Sequence, residues 1–189
     1  MPVAYLFEAS QIQDSILDRT SLAQMVGASG SGDALSDEAF DEERHHTCSL
    51  LGTALHAVSL RSDEVGFSRL GGGGFTLILD NRDRAEALRD LLSLLVPRHA
   101  PGLAFVHALA EGPTAFGAVE AAMELRELLV HRPSTAMPEA GPLTRRAGRT
   151  GNAAARRLHE EWLDAAALRK REFTPDPLRA KFLGPRASE

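Results

Sequence analysis

Four consecutive glycines, Gly71–Gly74, separate two short apolar runs, Val65–Leu70 and Phe75–Leu79. A strand-like run on either side of a glycine turn reads as a β-hairpin. Four glycines are more than a hairpin needs, because each costs conformational entropy and none offers a side chain to pack. Either the backbone turns tightly there, or it lets something large come close.

The rest of the chain arranges itself around this hairpin. Val3–Phe7 is a compact apolar run that reads as the first strand, ending at Glu8. Ser10 is a candidate N-cap for a helix with Ile12, Ile16 and Leu17 at helical spacing. Thr20–Val26 reads as a further helical turn, and Gly27–Gly32 as a loop of small residues without the Gly-Lys-Ser/Thr of a P-loop. From Ser36, with Glu38 and Asp41 in the first turns, a long helix is expected to run to about Val58. Its apolar face would hold Phe40, Leu51, Leu55 and Val58.

Beyond the hairpin, Asp83–Leu95 repeats Ala87, Leu88, Leu91, Leu92 and Leu95, an amphipathic helix expected to stop at Pro97. Leu103–Leu109 reads as another strand. Thr114–Leu129 reads as a helix with Phe116, Val119, Met123 and Leu125 among its apolar positions. The order β-α-β-β-α-β-α predicts an α+β fold, a ferredoxin-like βαββαβ domain. Four mostly antiparallel strands would carry helices over one face. The hairpin is expected at the sheet centre, its tip beside the end of the first strand, so that Glu8 and Gly71–Gly74 share one edge.

Residues 1–131 are expected to form this domain, residues 132–152 a Pro/Gly/Arg-rich linker, and residues 153–189 a helix and tail. The final helix would span Ala153–Glu172, capped by Asn152, with Leu158, Trp162, Leu163, Ala166 and Leu168 as packing positions.

A length of 189 residues allows one such domain plus an appendage, and 43% apolar residues support a real core. A net charge of −5 supplies no global basic field to recruit nucleic acid. Cys48 is the only cysteine, which excludes an intrachain disulfide and a multi-cysteine zinc site. No run approaches the ~20 apolar residues of a membrane span, and the start lacks the basic region of a signal peptide. The expectation is a cytoplasmic protein with no membrane partner.

Glu8, followed by Ser10, Gln11 and Gln13, is the first candidate site, although a single carboxylate holds Mg²⁺ only weakly. His45, His46 and His56 read as solvated or partly buried, since ten residues separate His46 from His56. Arg145, Arg146, Arg149, Arg156 and Arg157 form the basic cluster. Arginine forks suit phosphate, but the cluster fits equally a docking surface for an acidic partner or a solvated arm.

Arg69-Leu70-Gly71-Gly72-x-x-Phe75, with its Leu79-Asp80-Asn81 exit, resembles the hairpin of GGDEF and palm-domain nucleotide cyclases. The opening Tyr5-Leu6-Phe7-Glu8-Ala9-Ser10-Gln11-Ile12-Gln13, with Gly27-Ala28-Ser29, resembles the palm domain of the large subunit of type III CRISPR effector complexes. Pro142–Gly151 and Glu161-Trp162-Leu163-Asp164 resemble a stretch that follows the palm in small stand-alone relatives. In the active palm an acidic pair follows Gly-Gly and binds two metals that cyclise ATP. Gly73 and Gly74 stand there instead, so the chain resembles a degenerate palm, and an enzyme is not expected.

The resemblance implies a protein of antiviral defence that binds nucleotide or completes a partner's nucleotide site. Its nucleotide contacts would be Glu8, Ser10, Gln11, Gly71, Gly72, Gly73 and Gly74, with Glu8 as ligand for Mg²⁺ or Mn²⁺ accompanying ATP or a cyclic nucleotide. Arg145, Arg146 and Arg149 would meet phosphate or a partner. Other protein subunits or a second copy are the expected partners. The alternative is a structural or RNA-contacting subunit of an RNA-guided complex.

Overall fold

The computed structural model describes residues 1–10, 49–71, 73–131 and 140–172. Strand β1 (Val3–Ser10) leads to helix α1 (Leu50–Ala57), a 3-10 turn at Ser62–Glu64, then β2 (Gly66–Gly71) and β3 (Gly74–Leu79). Helix α2 (Arg82–His99), β4 (Ala104–Glu111) and α3 (Ala115–Leu129) follow, then β5 (Ala154–Leu158), β6 (Glu161–Asp164) and α4 (Ala165–Glu172). The described residues form two compact units, one carrying the strands β1–β4 and the other residues 140–172.

Each α-helix among the described residues starts on a residue whose side chain can replace a missing backbone partner. Ser49 Oγ accepts from the Gly52 N–H, Asn81 Oδ1 from Arg84, Thr114 Oγ1 from Gly117 and Asp164 Oδ1 from Ala167. The Ser49 cap also corrects one expectation. Its backbone is extended (φ −101°, ψ 155°), so no single helix runs from Ser36 to Val58. The parts of that span before Ser49, and the expected helices and loop between Gln11 and Gly32, lie outside the described residues.

The first unit is an α+β, ferredoxin-like domain with sheet order β2-β3-β1-β4. β1 is antiparallel to β3 on one side and to β4 on the other, and β2 is antiparallel to β3. The hairpin is therefore only half central. β3 is buried between β1 and β2, whereas β2 is an edge strand with Phe67 and Leu70 exposed.

Side chains alternate across a strand, so β1 presents two different faces. Tyr5 and Phe7 share one with Phe75, Phe105 and His107. Phe7 stacks on Phe75 at 5.0 Å and on Phe105 at 5.3 Å, and Tyr5 meets Phe75 edge-on at 5.8 Å. Each fully buried ring contributes about 1.5–3 kcal/mol. The buried residues of α2 take no part in the cluster on the other face, and its Arg89 and Asp90 act electrostatically on Tyr5 and His107 of this one.

The opposite face is made of small residues. Ala4, Leu6 and Ala108 pack against Ala118 and Ala122 of α3, joined by Val119 and Leu125. Helices thus lie on both faces rather than one. Alanine on alanine lets α3 approach the sheet closely, so Phe116 and Met123, expected in the core, turn outward. In α2 the buried set is Ala85, Leu88, Leu92 and Val96, while Ala87 is exposed. Pro97 lies inside the last turn instead of ending the helix, where its missing N–H costs only one bond.

The second unit departs furthest from expectation. Residues 154–164 form a β-hairpin, β5 against β6, and only Ala165–Glu172 are helical. His159 makes the turn with a left-handed backbone (φ 53°). Asn152 does not cap a helix; its side chain donates to Asp164 Oδ2. Asp164 is fully buried, and Thr150 Oγ1 also donates to it. A carboxylate buried among donors fits a helix start and not a helix interior.

Candidate functional site

At the hairpin edge the glycines do what side chains could not. Gly71 and Gly74 close the turn as a pair, and Gly71 and Gly73 both have left-handed backbones (φ 124° and 77°). Such values strain any residue with a Cβ. Gly74 lies opposite Glu8 in the β1–β3 ladder, where a Cβ would stand 3.0 Å from the Phe7 carbonyl oxygen. The Gly73 carbonyl accepts from the Ala9 N–H at 2.9 Å, so the tip is bonded to the end of β1. The expected juxtaposition of Glu8 with Gly71, Gly73 and Gly74 is what the structure has. Ser10 closes β1 opposite Ala104. Gln11 and Gly72 lie outside the described residues, as do Gln13, His45, His46 and Cys48.

Glu8 is not alone at this edge. Arg126 of α3 donates from Nε to Glu8 Oε2 at 2.7 Å, with both side chains about two-thirds buried, at 32% and 27% exposed. Residues 118 apart in sequence thus form one ion pair. Nothing in the local pattern around either residue signals it. The pairing satisfies the carboxylate with a cation of the same chain. Gly73 and Gly74 have no side-chain donor atoms, and among the described residues no group of three or more His, Cys, Asp or Glu comes together to hold a metal ion. His56 is exposed in the last turn of α1.

The arginines gather in the second unit. Arg145, Arg146, His159, Glu161, Trp162 and Arg171 line a cleft of about 500 Å³. The Arg145 guanidinium lies 5.4 Å from the centre of the Trp162 ring, a cation–π distance. Glu161 binds Arg149 Nε at 2.6 Å and Arg171 at 2.7 Å. Arg171, and then Arg149, hold its carboxyl below the usual range. Arg156 and Arg157 are exposed on β5, with Arg157 opposite Trp162. Trp162, Glu161 and Arg171 were not legible as site residues, because a helix would have spread them around its surface. The expected linker is ordered over residues 145–154, with Ala154 donating to the Arg145 carbonyl and Ala147 to Asn152.

The sheet order and the glycine tip beside a carboxylate define a ferredoxin-like α+β domain with a basic hairpin unit in the same chain. No protein-family model and no curated protein matches the sequence. Among solved structures, the chain is similar to one described as the crystal structure of a Csm1-Csm4 cassette in complex with cA4, at 13% identity and a TM-score of 0.48. That likeness covers 70% of this chain and 19% of the other, so this chain spans about a fifth of the one it matches. Among the described residues, no helix is long and apolar enough to cross a membrane.

Proposed function

We propose that this is a degenerate palm-type protein of CRISPR-type antiviral defence, which binds nucleotide at its hairpin edge or completes a partner's nucleotide site there, with no catalysis of its own. The observation that carries the reading is the pairing of Glu8 with Gly74 beside the tip that Gly71 and Gly73 turn. This edge combines an open glycine backbone, a carboxylate and a guanidinium, the polar groups that ribose hydroxyls and phosphates require. The sequence resemblance to palm domains supports the same location.

The residues present do not fit a divalent metal. Glu8 is already engaged by Arg126, and the two glycines contribute no ligand. Mg²⁺ or Mn²⁺ at this edge would therefore come with the nucleotide or from a partner. A site supplied with metal by a second chain explains why a glycine tip suffices here. Exposed Phe116 and Met123, one face of α3, support a protein partner.

Thermal unfolding with and without millimolar ATP and Mg²⁺ tests the reading, because a ligand of the native state alone raises the melting temperature. A rise is expected for the natural chain and for Arg145→Ala, and its loss is expected in Arg126→Ala, which leaves Glu8 facing the phosphates unscreened. No rise with ATP overturns nucleotide binding by the chain alone. A rise that Arg126→Ala retains and Arg145→Ala loses moves the nucleotide away from the hairpin edge.

A further inference from the structure

The cleft of the second unit is independent of the hairpin edge, and its chemistry has a different fit. The whole chain carries a net charge of −5, yet residues 140–172 hold eight Lys or Arg against four Asp or Glu. The positive charge is therefore local. The β5–β6 hairpin and the turn before it gather it around the single tryptophan.

Arg145 is the informative residue. Its guanidinium lies over Trp162, and among the described residues it makes no hydrogen bond or ion pair through its side chain. The cation–π contact limits its rotamers, while its N–H donors stay unspent. A preorganised guanidinium loses less entropy on meeting a phosphate than a mobile one. Among the described residues, the side chain of its neighbour Arg146 reaches only the Ala140 carbonyl, at 3.4 Å. Glu161, which also lines the cleft with Glu160, binds Arg149 and Arg171 by two short ion pairs, and of these two arginines Arg171 lines the cleft.

We propose that this cleft binds single-stranded nucleic acid, with phosphate on Arg145 and Arg146 and a base stacked on the layer formed by Arg145 and Trp162. An isolated anion would need only the fork. A strand uses the whole feature, because arginine and aromatic planes accept bases of any identity. Exposed Arg157, opposite Trp162 in the hairpin, adds a further positive charge on the tryptophan's face of β5. An acidic protein segment would satisfy the charges but has no use for an aromatic ring at the cleft wall.

The test uses the full chain and a fluorescein-labelled oligouridylate of about ten nucleotides, near the site size of one small single-strand module. Saturable binding that weakens with added salt is expected, with a concurrent change in emission from Trp162, the only tryptophan. Arg145→Ala should weaken binding by about tenfold and Arg145→Lys by less, because lysine keeps the charge but loses the fork and the plane. Arg61→Ala, at an exposed arginine of the first unit, should leave it unchanged. Circular dichroism of each variant reports whether the unit has kept its fold, and Arg146→Ala replaces any variant that has not. No saturable binding at low salt overturns the proposal, as does binding that both arginine variants retain in full. ATP shifting Trp162 emission without any binding of the oligouridylate overturns it in favour of a free nucleotide.

Discussion

Arg126 and Glu8 join α3 to the end of β1 through one short contact, Nε to Oε2 at 2.7 Å, on the alanine-rich face of the sheet. The pair is neither fully solvated nor sealed, so its worth lies between that of a surface bridge and that of a buried one. Arg126→Ala should destabilise the protein by about 1 kcal/mol. Glu8→Gln should cost less, because the amide oxygen still accepts from the guanidinium. A double-mutant cycle in urea checks this, and purely additive losses would show that the pair contributes nothing.

The glycine tip cannot simply take an acidic pair. Gly73 has a left-handed backbone, and a Cβ at Gly74 meets the Phe7 carbonyl oxygen at 3.0 Å. The double variant Gly73→Asp, Gly74→Asp is expected to lose about 1–3 kcal/mol, from backbone strain and crowding together. Its melting temperature should fall, and added Mn²⁺ should not restore the natural value. A metal-dependent recovery would show that the edge can rearrange into a metal site.

Stability should depend on pH through His107. Burial, and after it the positive charge of Arg89, holds this imidazole below its ordinary value of 6.5. Its Nδ1 is buried without a hydrogen-bond partner among the described residues. The unfolded chain therefore takes up the proton first. The stabilising contribution is complete above the unfolded value and is lost as pH falls from about 6.5 toward the folded value. His99 shifts in the same direction, through burial and then Arg169. His107→Phe should flatten, without abolishing, the fall in melting temperature between about pH 7 and pH 5. An unchanged slope would remove His107 from the account.

Asp164 holds the second unit together from its centre. It is fully buried, caps α4 through the Ala167 N–H at 2.7 Å, and receives the side chains of Thr150 and Asn152. Asp164→Ala removes the cap and strands two donors, so a local loss of about 1–3 kcal/mol is expected. Hydrogen exchange should accelerate in residues 145–172 and remain as before in β1, β3 and β4. Asp164→Asn should recover part of the protection, since its amide oxygen still caps the helix.

Strands β1–β4, α2 and α3 were readable because their patterns are local. β1, β3 and β4 are continuous apolar runs, and α2 and α3 repeat apolar residues at helical spacing. Asn81 and Thr114 sit where caps belong. The order of these elements sufficed for a ferredoxin-like sheet, since a hairpin between two crossovers has few unknotted solutions. The same order placed Glu8 beside the glycine tip.

Four features depended on contacts between distant residues. Phe116 and Met123 share a helix with Ala118 and Ala122, and only the shape of the sheet beneath decides which face is buried. Arg126 reached Glu8 because α3 folds back across β1 and β4, a relation absent from either local sequence. Residues 153–164 are rich in alanine and arginine, which favour helix in isolation. Pairing with one another and with the 145–153 turn around buried Asp164 outweighed that propensity and made a hairpin. The cleft with Arg145 over Trp162 exists only as a result. Sequence determined what each segment could form and where the chain turns, because propensity, capping and glycine geometry act over a few residues. Tertiary structure decided which faces meet and which charges pair, because burial and ion pairing depend on residues that the chain brings together only when it folds.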